Sequence, residues 1–109
     1  MIKFRKLFSF SKKEIQSSSK DAKLKDKILG LKLLQAPCQQ DHGKILVIIP
    51  KATGKAHERN KLKRQIKAIF YEEKLFQNPI SSILIVYKEA KSLSFDEIKA
   101  FLIKNFKLN

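Results

Sequence analysis

The sequence contains a single cysteine and no long apolar run. Because Cys38 has no second cysteine with which to form a disulfide, the composition is typical of a protein from a reducing cytosol. No apolar segment approaches the roughly 18 to 20 residues that a membrane span needs. Residues 1–10 also lack the continuous apolar region and small-residue cleavage site of a signal peptide. We therefore expect a cytoplasmic protein without a membrane-spanning segment.

The sequence also lacks the motifs on which many phosphate-binding, metal-binding and nucleophilic sites are built. It has no G-x-G-x-x-G, no P-loop, no paired cysteines and no H-E-x-x-H. Its two histidines, His42 and His57, fall in a predicted loop and near a predicted helix start, with nothing to link them. Its acidic pairs, at 72–73 and 96–97, fit helix surfaces. We expect no catalytic residue and no metal ligand among the protein's side chains.

Acidic residues are scarce relative to basic ones. The chain has 10 Asp and Glu against 24 Lys and Arg, for a formal charge of +14 and a pI of about 10.0. Such an excess destabilises a folded protein through self-repulsion, and it favours a polyanionic partner. The length of 109 residues and the hydrophobic fraction of 43% predict one small folded domain over residues 1–109. RNA and DNA are the leading candidates for the partner, and an anionic membrane is the weakest.

Glycine and proline are absent between Gly54 and Gln77, which permits a long helix. Its predicted core face consists of Leu62, Ile66, Ile69 and Phe70. A cationic stripe beside it consists of Asn60, Lys63, Arg64 and Lys67. Arg59 lies at the border of the two, and Lys55 at the start of the helix. A merely solvated helix usually alternates its charge signs, and this one does not. The pattern predicts a helix that packs by one face and binds nucleic acid by the next; an ordinary soluble surface is the alternative.

Before this helix, the sequence predicts a short helix and two strands. Residues 1–10 form a basic arm whose phenylalanines can either stack on unpaired bases or close onto the core. A capping box from Ser11 to Glu14 opens a helix over 12–18, with Ile15 as its apolar anchor. Residues 20–27 look like a polar connector. Strands are predicted at 28–34, with Leu29, Leu31 and Leu33 on one face, and at 45–49. The apolar run 45–49 indicates a central strand, and 36–43 a hairpin loop.

After the long helix, the sequence predicts one more strand and one more helix. Asn78 and Pro79 break the long helix, and an apolar strand follows at 83–87. A second capping box, from Ser94 to Glu97, opens the last helix. Its predicted inward-facing residues are Phe95, Ile98, Leu102 and Phe106. The expected fold is a small α+β two-layer sandwich in the order α-β-β-α-β-α.

The central motif resembles the signature of the bacterial ribonuclease P protein subunit. It reads Lys51-x-x-x-Lys55-Ala56-x-x-Arg59-Asn60-x-x-Lys63-Arg64, like the family's Arg-Asn-Arg motif on a helix after a buried strand. The stretches 83–90 and 93–97, with Leu102, are similar to the family's last strand and closing helix. The resemblance implies a left-handed β-α-β crossover around the motif, against the usual right-handed rule.

The resemblance also implies a function. The protein is then the small basic partner of a large catalytic RNA, which removes the 5′ leader from precursor tRNA. Catalysis and the Mg²⁺ cofactor are expected to belong mainly to that RNA, and no obligate protein partner is expected. The implied RNA-binding residues are Lys51, Lys55, Arg59, Asn60, Lys61, Lys63, Arg64, Lys67 and Lys88. Lys61 stands in place of the motif's second arginine, so it keeps the charge and loses the fork geometry.

Leader binding is implied in a groove between the sheet and the first helix. The family's first helix usually carries aromatic residues there, whereas residues 15–19 of this chain offer Ile15 and polar side chains. Lys32 stands where an aromatic residue is common in the first strand. Leu46, Ile48 and Pro50 replace small or polar residues on the groove side of the middle strand. The expected leader-binding residues are Phe8, Phe10, Ile15 and Lys32.

Two other functions compete with this one. A small basic ribosomal protein, or another binder of structured RNA, would share the charge and the size. A small Mg²⁺-dependent protein nuclease would instead need carboxylates that converge in a cleft. The first alternative predicts co-sedimentation with ribosomes, and the second predicts cleavage by the protein alone.

Overall fold

A computed structural model of the chain describes residues 7–8, 10, 23–37, 42–78 and 80–107. The predicted helix at 12–18 and Cys38 lie outside the described residues. Within them, the chain forms four strands and two α-helices. The strands are β1 (Lys23–Ile28), β2 (Leu31–Pro37), β3 (Lys44–Ile48) and β4 (Ile80–Val86), and the helices are α1 (Ala56–Glu72) and α2 (Phe95–Lys107).

The four strands form one sheet in the order β1-β2-β4-β3. The pairs β1–β2 and β2–β4 are antiparallel, whereas β3 and β4 are parallel. This arrangement confirms the α+β class. The prediction of a connector at 20–27 is wrong, because most of that segment is β1. The lysines of this segment predict a connector, but an edge strand tolerates charged side chains that a central strand excludes.

The position of β3 also differs from the prediction. The segment was expected to be a central strand joined to β2 by a hairpin, but β4 lies between the two and β3 is at the edge of the sheet. An apolar run shows that both faces of a strand carry apolar side chains, and it does not show how many neighbours the strand has. The central position belongs to β4, which is buried along most of its length.

The chain passes from β3 through α1 to β4, and these two strands pair directly with each other in parallel. The parallel pairing confirms the β-α-β unit that the resemblance implies. A connection of this kind needs a crossover of a dozen or more residues, and α1 supplies it. The left hand of the crossover stays a prediction.

One face of the sheet packs against both helices. The predicted apolar residues of α1 are all buried there, as are Ile98, Leu102 and Phe106 of α2. The ring of Phe70 lies edge-on to the rings of Phe8 and Phe106, with centroids 5.9 and 5.4 Å apart. Two predicted core residues are wrong, because Leu29 and Phe95 are 58% and 41% exposed. Leu29 lies in a turn rather than a strand, and Phe95 is the first residue of α2.

Helix α1 ends five residues before the predicted boundary at Gln77. After Glu72 the backbone turns at Lys74, which is in the left-handed region with φ 53°. A 3-10 turn over Leu75–Gln77 follows, and it buries Leu75 in the core. The absence of glycine and proline permitted a longer helix, but burying Leu75 needs the chain to change direction here.

The opposite face of the sheet, which we call the second face, carries a different set of side chains. Because side chains alternate along a strand, residues paired across strands share a face. Lys32 pairs with Ile85, which pairs with Ile48, and the next row contains Leu34, Ile83 and Leu46. Ile83 is 5% exposed but does not belong to the core cluster formed by the two helices and the first face. The second face is therefore a separate, mainly aliphatic surface.

Three connections meet at one end of the sheet, which we call the Tyr87 end. The Tyr87 N–H donates to the carbonyl of Gly30 in the β1–β2 turn, at 2.8 Å. The Thr53 hydroxyl, in the 3-10 turn before α1, donates to the carbonyl of Val86 at 2.9 Å. Gly30 has φ +78°, and a Cβ there would lie 2.1 Å from the backbone nitrogen of Ala90. The close approach of the turn to the segment after β4 therefore depends on Gly30.

We expect Gly30→Ala to destabilise the protein by more than about 1–3 kcal/mol, the usual cost of strained backbone at positive φ, because its Cβ would also overlap the Ala90 backbone. Urea unfolding followed by circular dichroism measures this change. Gly54→Ala is the matched control, because a Cβ at Gly54 meets only the ends of the Glu58 and Lys91 side chains. Equal stability of wild type and Gly30→Ala would contradict the close approach described here.

A bulge in β1 places an acidic side chain against α2. The register shifts between Leu24 and Asp26, so Asp26 pairs with Leu33 on the helix-covered face. There the Asn105 amide donates to Asp26 at 3.0 Å and to the Phe101 carbonyl at 2.8 Å. The Asn105 hydrogen bond, helped by the Lys27 N–H and the charge of Lys104, lowers the pKa of Asp26 below its ordinary value.

Because folding lowers the pKa of Asp26, its carboxylate stabilises the folded state fully above its unfolded pKa of about 3.9. That contribution is lost as the pH falls through the folded pKa. We expect Asp26→Asn to be less stable than wild type at neutral pH, with the difference shrinking below about pH 4. Urea unfolding across this pH range measures the difference. Lys104→Ala, which removes only a 3.8 Å ion pair, is the control and should change stability little. A wild-type advantage that stays constant into acid would contradict this account.

Candidate nucleic-acid interface

The cationic stripe lies on the side of α1 that faces away from the core. Asn60, Lys63 and Arg64 are exposed, and Lys67 is half-buried. Lys61 is also exposed and neighbours Arg64 at a spacing of three residues. No acidic residue falls between Arg59 and Lys67. The helix therefore presents a run of positive charge that its own sequence does not neutralise.

The start of α1 is held by a network that also places the predicted RNA-binding residues before it. The Lys55 N–H donates to the Glu58 carboxylate at 2.9 Å, which satisfies one free donor of the first turn. The Arg59 Nε donates to the Gly54 carbonyl at 3.2 Å, so this side chain folds back onto the preceding loop. Lys51 and Lys55 are exposed in that loop. Arg59 therefore contributes to loop order as well as to charge.

Glu58 is occupied by these contacts. Besides accepting from Lys55, its carboxylate lies 3.8 Å from the Lys91 ammonium. The hydrogen bond from Lys55, with the nearby Lys91 charge, lowers the pKa of Glu58. A carboxylate with a lowered pKa is a poor proton donor near neutral pH, so Glu58 is suited to capping the helix rather than to acid catalysis.

Lys67 is less exposed than the other cations of the stripe. Its Nζ lies 5.0 Å from the centroid of the Phe8 ring. Burial, together with repulsion from Lys63, lowers the pKa of Lys67. Burial and this repulsion thus stabilise the charged form less than water does, and a nearby phosphate would favour it again.

The predicted leader-binding residues do not form one cluster. Phe8 packs against Phe70 beside the cationic stripe, and Phe10 lies under the buried Lys44, with Nζ 4.7 Å from the ring centroid. Lys32 lies on the second face, and Ile15 lies outside the described residues. Their binding roles, like those of the stripe, stay predictions.

Two residues with positions suited to nucleic acid were missed by the sequence reasoning. Lys27 is the cross-strand partner of Lys32 on the second face, but the polar pattern of 20–27 predicts a connector and gives this lysine no place in a sheet. The apolar pattern predicts Tyr87 as the last residue of a strand, but β4 ends at Val86 and Tyr87 is 41% exposed. The alternation of Ile83 and Ile85 places Tyr87 on the same side as Lys32, and this signal was available in the sequence. Lys88, which was predicted, follows it and is exposed.

The acidic and histidine side chains of the described residues are spread over several elements of the fold. Among them, no group of three or more His, Cys, Asp or Glu side chains is placed to hold a metal ion. His42 precedes β3 and His57 follows it, so the length of a strand separates them. In the same part of the chain, no helix is long and apolar enough to cross a membrane.

Together, the fold and the surface define a small basic α+β protein with an uncompensated cationic helix that crosses between two parallel strands. A family model described as Ribonuclease P matches residues 3–108. The chain therefore belongs to the ribonuclease P protein family, as the motif from Lys51 to Arg64 predicted.

Curated relatives agree with this assignment. The chain is 39% identical over 64 residues to the ribonuclease P protein component of Onion yellows phytoplasma (strain OY-M), covering 58% of this chain and 45% of the relative. It is 39% identical over 62 residues to the same component of Phytoplasma australiense, covering 56% and 54%. The chain thus spans about half the length of the curated relatives it matches.

Solved structures show the same fold. The ribonuclease P protein from Thermotoga maritima superposes with a TM-score of 0.78 at 19% identity, covering 94% of this chain and 96% of that one. The ribonuclease P protein from Staphylococcus aureus gives 0.77 at 21% identity, with 94% of both chains covered. At identities of 19% and 21%, this likeness shows that the chain shares the fold of these two proteins.

Replacing both Lys63 and Arg64 with alanine should weaken binding to structured RNA and leave the fold intact, because both side chains are exposed. The slope of log binding constant against log salt concentration becomes shallower with each lost phosphate contact, by about 0.9 on a duplex and about 0.7 on a single strand. The double variant should therefore lose about 1.4 to 1.8 in slope, measured by filter binding across salt concentrations. Replacing Lys99 and Lys104 on α2 removes the same charge and is the control. An unchanged salt slope in the variant that lacks Lys63 and Arg64 would contradict the assignment of RNA binding to the stripe.

Substitution on the buried face of α1 should destabilise the fold and leave the salt dependence of RNA binding unchanged. Ile66 is fully buried, so Ile66→Ala should destabilise by about 2–5 kcal/mol. Urea unfolding measures the stability. At a temperature where this variant remains folded, its salt slope should match wild type. A change in slope without a change in stability would mean that the two faces of α1 do not have separate roles.

Proposed function

We propose that this chain is the protein subunit of ribonuclease P, and that it binds both the catalytic RNA and the 5′ leader of precursor tRNA. In this role it supports Mg²⁺-dependent maturation of the tRNA 5′ end in the bacterial cytoplasm. The observation that carries the proposal is the cationic stripe of α1, exposed and without acids, in a chain of this family. A partner that is itself a folded polyanion explains why the net charge of +14 is tolerated.

The catalytic RNA is assigned to α1 and the loop before it. Lys51, Lys55 and the stripe form one continuous cationic surface along the helix and its start. Binding there releases counterions from the RNA, which is the main source of affinity in such contacts. Arg59 keeps the loop against the helix through the Gly54 carbonyl, so the lysines of the loop keep their positions relative to the stripe.

The leader is assigned to the second face. Lys27 and Lys32 lie opposite each other there, and directly opposed like charges are unfavourable in an unliganded sheet. The phosphates of a single strand would relieve that repulsion. The exposed Ile48 and the half-buried Ile85 beside it would contact the leader without reading its sequence through hydrogen bonds.

Cleavage is assigned to the RNA and its bound Mg²⁺. The described side chains show no cluster suited to a metal, and Glu58 is committed to the helix start. The protein's contribution is electrostatic, because its cations reduce the repulsion between two polyanions that must approach each other. It should therefore lower the Mg²⁺ concentration that the reaction needs.

The decisive experiment mixes the purified protein with a bacterial catalytic RNA and precursor tRNA at low Mg²⁺. We expect cleavage only when RNA and protein are both present, and a lower Mg²⁺ requirement than that of the RNA alone. His57→Ala should leave cleavage near wild type. Shortening the leader to one or two nucleotides should remove most of the protein's contribution to substrate affinity.

Two results would overturn the proposal. One is substantial precursor cleavage by RNA-free protein that His57→Ala abolishes, which would indicate a protein nuclease. The other is a complete lack of stimulation of the catalytic RNA together with co-sedimentation with ribosomes, which would indicate a different structured-RNA binder.

A further inference from the structure

We propose that Tyr87 is a stacking platform for an unpaired base of the leader, at the end of the second face. This inference rests on the proposed function and adds a specific contact to it. Apart from Ser81, the described strand residues of the second face are aliphatic or charged, so they offer no ring on which a base can stack. Tyr87 continues the alternation of Ile83 and Ile85, and it supplies the aromatic surface that those strands lack.

The Tyr87 ring is exposed on a backbone that is held in place. Its N–H donates to the Gly30 carbonyl at 2.8 Å, and its own carbonyl accepts from the Ala90 N–H at 3.0 Å. The preceding carbonyl, of Val86, accepts from the buried Thr53 hydroxyl. Since both sides of the residue are anchored, binding a base orders little beyond the side chain itself, and the entropic cost of binding is small.

Tyr87 stands between two clefts at the Tyr87 end of the sheet. The larger has a volume of about 640 Å³, with Leu24 and Leu29 as its apolar walls and Lys27 and Lys32 as its cations. The smaller has about 270 Å³ and is lined by Pro50, Ala52, Thr53 and Lys88. Glu89 lines both clefts and is the only acid in either lining. Each cleft therefore has an apolar surface and at least one lysine beside the aromatic ring, and the larger cleft also has an excess of positive charge.

This chemistry favours a nucleotide over an apolar peptide. A base needs a flat ring to stack on, and its phosphates need cations on either side of that ring. Lys27 and Lys32 lie in one cleft and Lys88 in the other, so the phosphates before and after a stacked base would each have a cation. A leader strand lying along the second face past Lys32 reaches Tyr87 next, which is why we assign the base to the leader.

Affinity for precursor tRNA tests the proposal in the complete complex with the catalytic RNA. With a full-length leader, Tyr87→Ala should weaken precursor binding at least about fivefold, whereas Tyr87→Phe should bind like wild type. With the leader removed, all three proteins should bind equally. Phe95→Ala is the matched control, because Phe95 is exposed to the same 41% and lines neither cleft. It should bind like wild type with either substrate.

A second readout reports stacking directly. The chain has no tryptophan, so Tyr87→Trp places a unique fluorophore at the proposed site. A single-stranded RNA of leader sequence should quench its emission, and an abasic RNA of the same length should quench it much less. Phe95→Trp should respond to neither RNA. Circular dichroism should show the same thermal midpoint for wild type and Tyr87→Ala, because the side chain is exposed.

The outcomes separate this inference from the proposed function. If wild type stimulates the catalytic RNA but Tyr87→Ala binds full-leader precursor normally, stacking at Tyr87 is wrong and the proposed function stands. An equal loss with leaderless precursor would place the base in another part of the RNA, and it would overturn the leader assignment. If wild type does not stimulate the catalytic RNA at all, the proposed function itself fails.

Discussion

The parallel pairing of β3 with β4 is the constraint on which the rest of the structure depends. Parallel neighbours cannot be joined by a tight turn, so the chain must cross the sheet through a helix. That helix is α1, and its buried stripe of Leu62, Ile66, Ile69 and Phe70 orients it on the first face. The cationic stripe then has to point away from the sheet. The same pairing brings the carboxyl ends of β3 and β4 together, so the start of α1 and Tyr87 lie at one end of the sheet.

Charge and packing are kept on separate surfaces of this small domain. The first face supplies the hydrophobic stabilisation, with two helices closed over it. Among the described residues, ion pairs join Asp26 to Lys104, Glu58 to Lys91 and Glu73 to Lys99 at 3.6 to 3.8 Å, and the lysine of each pair is exposed. Exposed pairs of this length stabilise a protein by less than about 1 kcal/mol each. The core therefore carries the stability, and the positive charge on the surface remains available to a partner.

Sequence patterns predicted the parts of the fold that depend on local periodicity. The apolar stripe of α1, the inward residues of α2 after Phe95 and the capping box at Ser94 were all correct, and the Ser94 side chain does accept from the Glu97 N–H at 3.1 Å. The errors involve tertiary context. Strand β1 is polar because it lies at an edge, and β3 is apolar although it also lies at an edge. Strand order depends on the crossover, which periodicity along one strand cannot show. In the candidate site, helical spacing predicts the stripe, and alternation along the last strand puts Tyr87 on the side of Ile83 and Ile85, whereas Lys27 becomes visible only once the register of the sheet is known.

The proposed function requires one protein to contact two stretches of RNA, and the charges lie on two separate surfaces. One cationic surface runs along α1, and the other lies on the second face, where Lys27 and Lys32 oppose each other. A single rigid duplex cannot lie along both, because the sheet separates the second face from the helix layer. A flexible single strand can follow the second face while a folded RNA contacts α1. Lys51 and Lys55 at the start of α1 and Lys88 beside Tyr87 lie where the two surfaces approach each other. An RNA that joins a folded body to a single-stranded extension must pass this end of the sheet, and there Tyr87 is held by the backbone of Gly30.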